Sequence, residues 1–183
     1  MPNTVKKTTS RVLMTSAELR RVLARLAHEI AERNGDSSGV VLIGIQRRGP
    51  YLAQRLGQAL EALWGHAVPI GTLDVGMHRD DLDRRLAPEI FTTHIPFDVN
   101  QKTVVLVDDV LFSGRTTRAA LDSLNDFGRP QRVQLAVLID RGHRELPIQP
   151  DFVGREVDTT KSERIEVRLR EESGEDLVSL EVL

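Results

Sequence analysis

The 183-residue chain contains no cysteine. That absence excludes disulfides, thiolate-bound metals and a cysteine nucleophile, and it fits a reducing cytoplasm. No apolar run is long enough to cross a bilayer, and no signal-like apolar core follows Lys6 and Lys7, so neither membrane insertion nor secretion is expected. Gly-Lys-Ser and Gly-Lys-Thr are missing, which rules out a Walker-type phosphate loop. A strong excess of either charge is missing too. The formal net charge of −2 argues against a surface coated in positive potential and leaves room for a local basic face. Internal repeats and low-complexity stretches are absent. What is present, 40% hydrophobic and 28% charged residues over a length typical of one domain, suits a globular chain with a real core.

Residues 1–14 are polar and basic apart from Val12, Leu13 and Met14 and are expected to form a flexible arm, with 15–183 as a single domain. Thr15-Ser16-Ala17-Glu18 has capping-box spacing, and Leu19, Leu23, Leu26 and Ile30 share one helical face, which predicts a helix to about Asn34. Val40–Ile45 reads as a buried strand, followed by the loop Gly44–Gly49 and a helix from Pro50 to about Leu63, where proline suits the first turn. A third strand is expected over Val68–Leu73. Residues 74–94 are charge-rich and aperiodic, and so long an excursion inside a compact domain is functional or disordered. Strand Val104–Val107, helix Arg118–Asn125 and strand Val133–Ile139 follow. Alternation of this kind implies an α/β fold with a mainly parallel sheet flanked by helices. Alternating residues in Arg164–Leu169 and Leu177–Val182 predict a terminal β-hairpin.

The chemistry concentrates in Val104–Thr116. A strand covered on both faces ends in Asp108 and Asp109 and leads into a turn with Ser113, Gly114, Arg115 and Thr116. Ligands of open α/β sheets bind at that carboxyl edge. Gly114 lets backbone approach an anion, Ser113 and Thr116 add hydroxyls, and the helix start adds free amides and a positive dipole end. A phosphate monoester fits there. Asp108 and Asp109 can accept sugar hydroxyls or hold Mg2+ indirectly, through water or substrate. Taken alone, such a pair also suits the Mg2+ sites of receiver-like or nucleotide-hydrolysing folds, or a solvated strand end.

As an ordered string, Val104–Thr116 resembles the signature of the type I phosphoribosyltransferases. The resemblance implies that family's fold, with a flexible hood and a C-terminal β-hairpin added to the parallel sheet. It implies that Val110, Leu111, Phe112, Ser113, Gly114, Arg115 and Thr116 hold the 5'-phosphate of the substrate. Asp108 and Asp109 would bind ribose and stabilise its developing positive charge, with Mg2+ accompanying phosphoribosyl diphosphate. Arg48 and Gly49, with Arg47 beside them, look like the family's diphosphate loop, the alternative being ordinary solvated loop charges. Residues 74–94 would be the hood and Arg79 a further cation for the diphosphate, the alternative being a disordered insert.

Four further runs, Arg20-Arg21, Ala27-His28-Glu29, His78–Leu82 and Val137–Ile148, are similar to the PyrR family of pyrimidine operon regulatory proteins. Phe112 within the signature and the Asp140–Pro147 run separate it from the hypoxanthine and orotate enzymes. The family binds pyrimidine-operon mRNA when charged with UMP and converts uracil and phosphoribosyl diphosphate to UMP. By that resemblance Asp140, Arg141, Thr160 and Lys161 lie where uracil is read, and Arg25, His28, Arg33, His143, Arg144 and Arg155 face the mRNA leader. A homodimer or higher homo-oligomer is implied as well. Ala24, His78 and Gln149 depart from the residues relatives commonly carry. A salvage uracil phosphoribosyltransferase without specific RNA binding is the alternative, because a mixed polar helix face is by itself a solvated surface.

Overall fold

The continuous apolar runs become the inner strands of a sheet. The computed structural model describes residues 10–35, 37–76 and 91–182. Strand β1 spans Ser10–Thr15, helix α1 Ser16–Asn34, β2 Val40–Ile45, α2 Gly49–Trp64 and β3 Ile70–Leu73. Then follow β4 (Thr103–Leu111), α3 (Arg115–Leu124), β5 (Arg132–Asp140), β6 (Phe152–Glu156), β7 (Glu163–Arg168), the short helix α4 (Arg170–Ser173) and β8 (Leu177–Val182). Five of these strands pair in parallel, in the order β3-β2-β4-β5-β6.

Side-chain alternation sorts the core into two layers. Val105 and Val107 of β4 pack with Leu19, Leu26 and Ile30 of α1 and Leu52, Leu56 and Leu60 of α2. Val104 and Leu106 pack with Ala119, Ala120 and Leu124 of α3 on the other face. Each fully buried leucine or isoleucine contributes about 2 kcal/mol. The expected capping box is present: Thr15 Oγ1 accepts the Glu18 amide at 3.4 Å, and the Glu18 carboxylate accepts the Thr15 amide at 2.8 Å. Among the described residues no helix is long and apolar enough to cross a membrane.

Three differences from the sequence expectation matter. Ser10–Met14, expected within a loose arm, lie in strand β1, because Met14 is only 1% exposed and the strand pairs antiparallel with β8. The expected hairpin β7–β8 is therefore the larger part of a second sheet, ordered β1-β8-β7. Strand β4 runs on through the two aspartates to Leu111, and β6, with too few residues to show a period, closes the edge of the parallel sheet.

Candidate active site

Pairing between β2 and β4 stops at Gly44 and Val107, whereas pairing of β4 with β5 continues to Leu111 and Asp140. Past Val107 the strand has a neighbour on one side only, so Asp108 and Asp109 stand beside a gap at the carboxyl edge of the sheet. Their carboxylates accept the next backbone amides, Asp108 Oδ1 from Asp109 at 2.9 Å and Asp109 Oδ1 from Val110 at 2.8 Å. Asp108 is 6% exposed, and Asp109 is half-buried.

The loop leaving β2 is pressed against this edge. A Cβ on Gly49 would fall 2.3 Å from the Val107 carbonyl oxygen, and one on Gly44 would fall 2.4 Å from Pro50 Cα. Glycine is therefore required at both positions for the backbones to meet. The Gln46–Arg47 peptide is cis. This approach carries Arg48, at the start of α2, to Asp109: Nη1 lies 3.3 Å from Oδ2. Its Nη2 donates to Glu166 Oε1 of β7 at 3.2 Å and its Nε to Glu172 Oε2 of α4 at 3.0 Å. Burial opposes the guanidinium charge, but the three carboxylates outweigh burial and raise its pKa above the ordinary arginine value. Arg47 stacks 5.7 Å from the Phe91 ring, at the end of the excursion that begins at Asp74. That base is closed by Asp74, whose carboxylate accepts the amides of Gly76 and Phe91, both at 2.9 Å.

Beyond β4 the chain turns through a left-handed glycine into a helix start. Gly114 has φ +91° and immediately precedes α3, whose first-turn amides are unpaired within the helix. Thr117 Oγ1, in that first turn, is buried and has no hydrogen-bond partner among the described residues. The Ser113 carbonyl accepts the amides of Glu145 and Leu146 at 3.0 and 3.2 Å, and Arg115 Nε donates to Glu145 at 2.9 Å. Residues 140–148 thus wrap the turn.

Arg144 is committed inside that wrap. Its guanidinium pairs with Asp140 and donates to the carbonyls of Ile148 and Phe112, each at 2.9 Å. Arg141 lies 4.4 Å over the Phe112 ring and donates to Thr159 Oγ1 (3.2 Å) and to the carbonyls of Thr160 (3.0 Å) and Glu163 (2.8 Å). Burial lowers its pKa. His143 meets the Phe112 ring edge-on and bonds the Thr159 carbonyl at 2.6 Å. Phe112 itself stays 37% exposed between the two cations' loops. Thr160 is held further by Glu163, and Lys161 is exposed.

Residues 14–172 match the phosphoribosyl transferase domain family. Among curated proteins, the chain is 57% identical over 167 residues to "Bifunctional protein PyrR" of Chloroflexus aurantiacus, covering 91% of this chain and 92% of that one. It is 52% identical to the protein of that name from Thermus thermophilus, covering 92% and 93%. The chain belongs to the PyrR family of phosphoribosyltransferases. Solved hypoxanthine phosphoribosyltransferases share the fold of this PyrR-family member at low identity. That of Trypanosoma cruzi superposes with a TM-score of 0.67 at 17% identity over 86% of this chain and 83% of that one. The enzyme of Leishmania tarentolae, in complex with GMP, gives 0.64 at 17% over 81% and 82%. The type I phosphoribosyltransferase fold expected from the signature is the one observed.

The PyrR-family chain gathers most of the expected site residues at one sheet edge. Arg47, Arg48, Gly49, Asp108–Thr116, Asp140, Arg141 and Thr160 are linked there by the contacts above. Arg79 and His78 lie outside the described residues, as does most of the expected hood. The expected RNA-facing residues divide. Arg25, His28, Arg33 and Arg155 lie on α1 and β6, where Arg25 donates to the Val153 carbonyl at 3.1 Å and Arg33 pairs with Asp151 at 3.0 Å. His143 and Arg144 lie instead in the wrap around the turn before α3, where their polar atoms bond to that wrap. A groove of about 260 Å³ lined by Met14, Glu18, Arg21, Val22, Arg25 and Arg155 runs beside α1. Glu166 and Glu172 escaped sequence reading. Strand alternation does place Glu166 opposite Ile165 and Val167, but only the fold brings it to Arg48.

Proposed function

We propose that the protein transfers phosphoribose from phosphoribosyl diphosphate to uracil, releasing diphosphate and UMP, and that with UMP bound it regulates pyrimidine biosynthetic operons by binding their mRNA leader. The observation that carries the reading is the gap past Val107, where two aspartates, a glycine with φ +91° and the start of α3 follow one another along one sheet edge. In this reading the 5'-phosphate occupies the turn Phe112–Thr116, its oxygens accepting from backbone amides and from hydroxyls including Thr117 Oγ1, and its charge is favoured by the dipole of α3. Asp108 and Asp109 hold the ribose hydroxyls, and the fixed Asp109 carboxylate stabilises positive charge as it develops on the ring. Uracil lies toward Phe112, Arg141 and Thr160.

Magnesium enters with the donor. Among the described residues no three His, Asp or Glu side chains form a metal cage, and two aspartates already accepting amides suit a cation that keeps its waters and substrate oxygens. Bound there, it neutralises the leaving diphosphate.

Support for the RNA function comes from the groove beside α1, where Arg21, Arg25 and Arg155 outnumber Glu18. Cations so placed meet phosphates in a salt-dependent way. The deciding experiment is equilibrium binding of the purified protein to its own pyrimidine-operon leader RNA, with and without UMP, at stated salt, beside an assay of uracil transfer. Tightening by UMP is expected. Uracil transfer without specific RNA binding would leave a salvage enzyme.

A further inference from the structure

The Arg48 guanidinium offers an anion less than its position suggests. It has five N–H donors, and a phosphate is gripped bidentately by two of them on neighbouring nitrogens. Here Nε, which has a single N–H, is on Glu172, Nη1 is on Asp109 and Nη2 is on Glu166. Neither bidentate edge therefore has both nitrogens unpartnered. Glu166 also meets Arg164 at 3.1 Å, so in this cluster three carboxylates share two guanidinium charges. A diphosphate arriving there meets three carboxylates and a cation with three of its five donors engaged. A monophosphate held at the turn before α3 meets neither.

From this arrangement we propose that Glu166 and Glu172 set the preference of the site between its diphosphate-bearing donor and its monophosphate product, by competing with diphosphate for Arg48. The inference rests on the reading that the loop preceding α2 takes the diphosphate. Glu172 is the sharper competitor, since it holds the single Nε proton and pairs with no second cation among the described residues. Release of Glu172 is local: Arg55, two turns along α2, keeps α4 and the following turn in place through Glu171 (2.9 and 2.6 Å) and Asp176 (2.7 Å). The carboxylates thus act as a counterweight to donor binding, and the second sheet responds to which ligand is bound. When diphosphate takes Arg48, Glu172 of α4 loses that partner and Glu166 of β7 keeps Arg164, whereas UMP leaves both on Arg48.

Calorimetric titration of the intact protein with inorganic pyrophosphate and, separately, with UMP, both with Mg2+, tests this in wild type, E172Q and E166Q. E172Q is expected to bind pyrophosphate roughly tenfold tighter, within the span typical of coupled sites, with UMP affinity changed less than about twofold. E166Q should show the same sign and a smaller gain, because Arg164 shares its carboxylate. Wild type binding both probes, with E172Q unchanged, overturns the competition alone. Equal tightening of both ligands overturns it in favour of general electrostatics. Weaker pyrophosphate binding in E172Q overturns it by making Glu172 an aid to Arg48. Wild type binding neither probe overturns the underlying reading, and the competition with it.

Discussion

Arg48 meets Asp109 at 3.3 Å across the gap where β2 and β4 part, although 61 residues separate them in the chain. The pair joins the start of α2 to the strand that carries Asp108 and Asp109. It also makes Arg48, which bonds Glu166 of β7 as well, the point where the parallel sheet, α2 and the second sheet meet.

Replacing Asp109 with asparagine keeps the size of the side chain and removes its charge. Uracil transfer is expected to fall by about a hundredfold or more, as when a preorganised charge facing a transition state is lost. RNA affinity should persist. Steady-state kinetics beside RNA titration checks this, and unchanged turnover would remove the electrostatic role from Asp109.

Gly49→Ala places its methyl carbon 2.3 Å from the Val107 carbonyl oxygen, a backbone atom that no rotamer change can move. The loop must move, at a cost of about 2 kcal/mol. A Tm lower by about 4–8 °C and a raised KM for phosphoribosyl diphosphate are expected. Thermal melting and kinetics together test whether loop position serves donor binding.

Arg144 and Arg21 separate the two activities. Arg144→Gln breaks bonds to the Phe112 and Ile148 carbonyls and the pairing with Asp140, so uracil transfer should fall with a raised KM for uracil. Arg21→Gln should leave uracil transfer within about twofold, weaken leader binding and lower the slope of log affinity against log salt by about one. Loss of transfer in Arg21→Gln with RNA binding intact would reverse the assignment of the two surfaces.

Acid should loosen the second sheet first. Burial raises the pKa values of Glu171 and Asp176, and hydrogen bonds from Arg55 outweigh it, so both lie below the ordinary carboxylate values. A depressed folded pKa means that the unfolded chain binds more protons. The contribution is therefore fully present above the unfolded carboxylate pKa of about 4 and is lost as pH falls through the lowered values. Tm should drop below that pH. Asp176→Asn should cost about 1–2 kcal/mol at neutral pH and flatten the acid limb, which calorimetry from pH 3 to 7 would read.

How much of this was legible in the chain depended on range. The Thr15–Glu18 cap, the face carrying Leu19, Leu23, Leu26 and Ile30, the strand Val40–Ile45 and the anion turn around Gly114 all rest on neighbours within a few residues, whose spacing records their geometry. The same held for the β7–β8 hairpin. The extent of β4 was not legible, because Asp108 and Asp109 look like a strand end until β5 is seen to pair on past them. The short edge strand β6 and the pairing of Ser10–Thr15 with β8 also depended on distant partners.

By itself the sequence determined the family, the order of elements and the polar string from Asp108 to Thr116, since each is set by local pattern. Tertiary structure alone decided that Arg48 is shared among Asp109, Glu166 and Glu172, and that Arg144 bonds Asp140, Phe112 and Ile148 while Arg21, Arg25 and Arg155 line a separate groove. A guanidinium reaches whichever carboxylates and carbonyls the fold brings within about 3 Å, and no short-range pattern records which those will be.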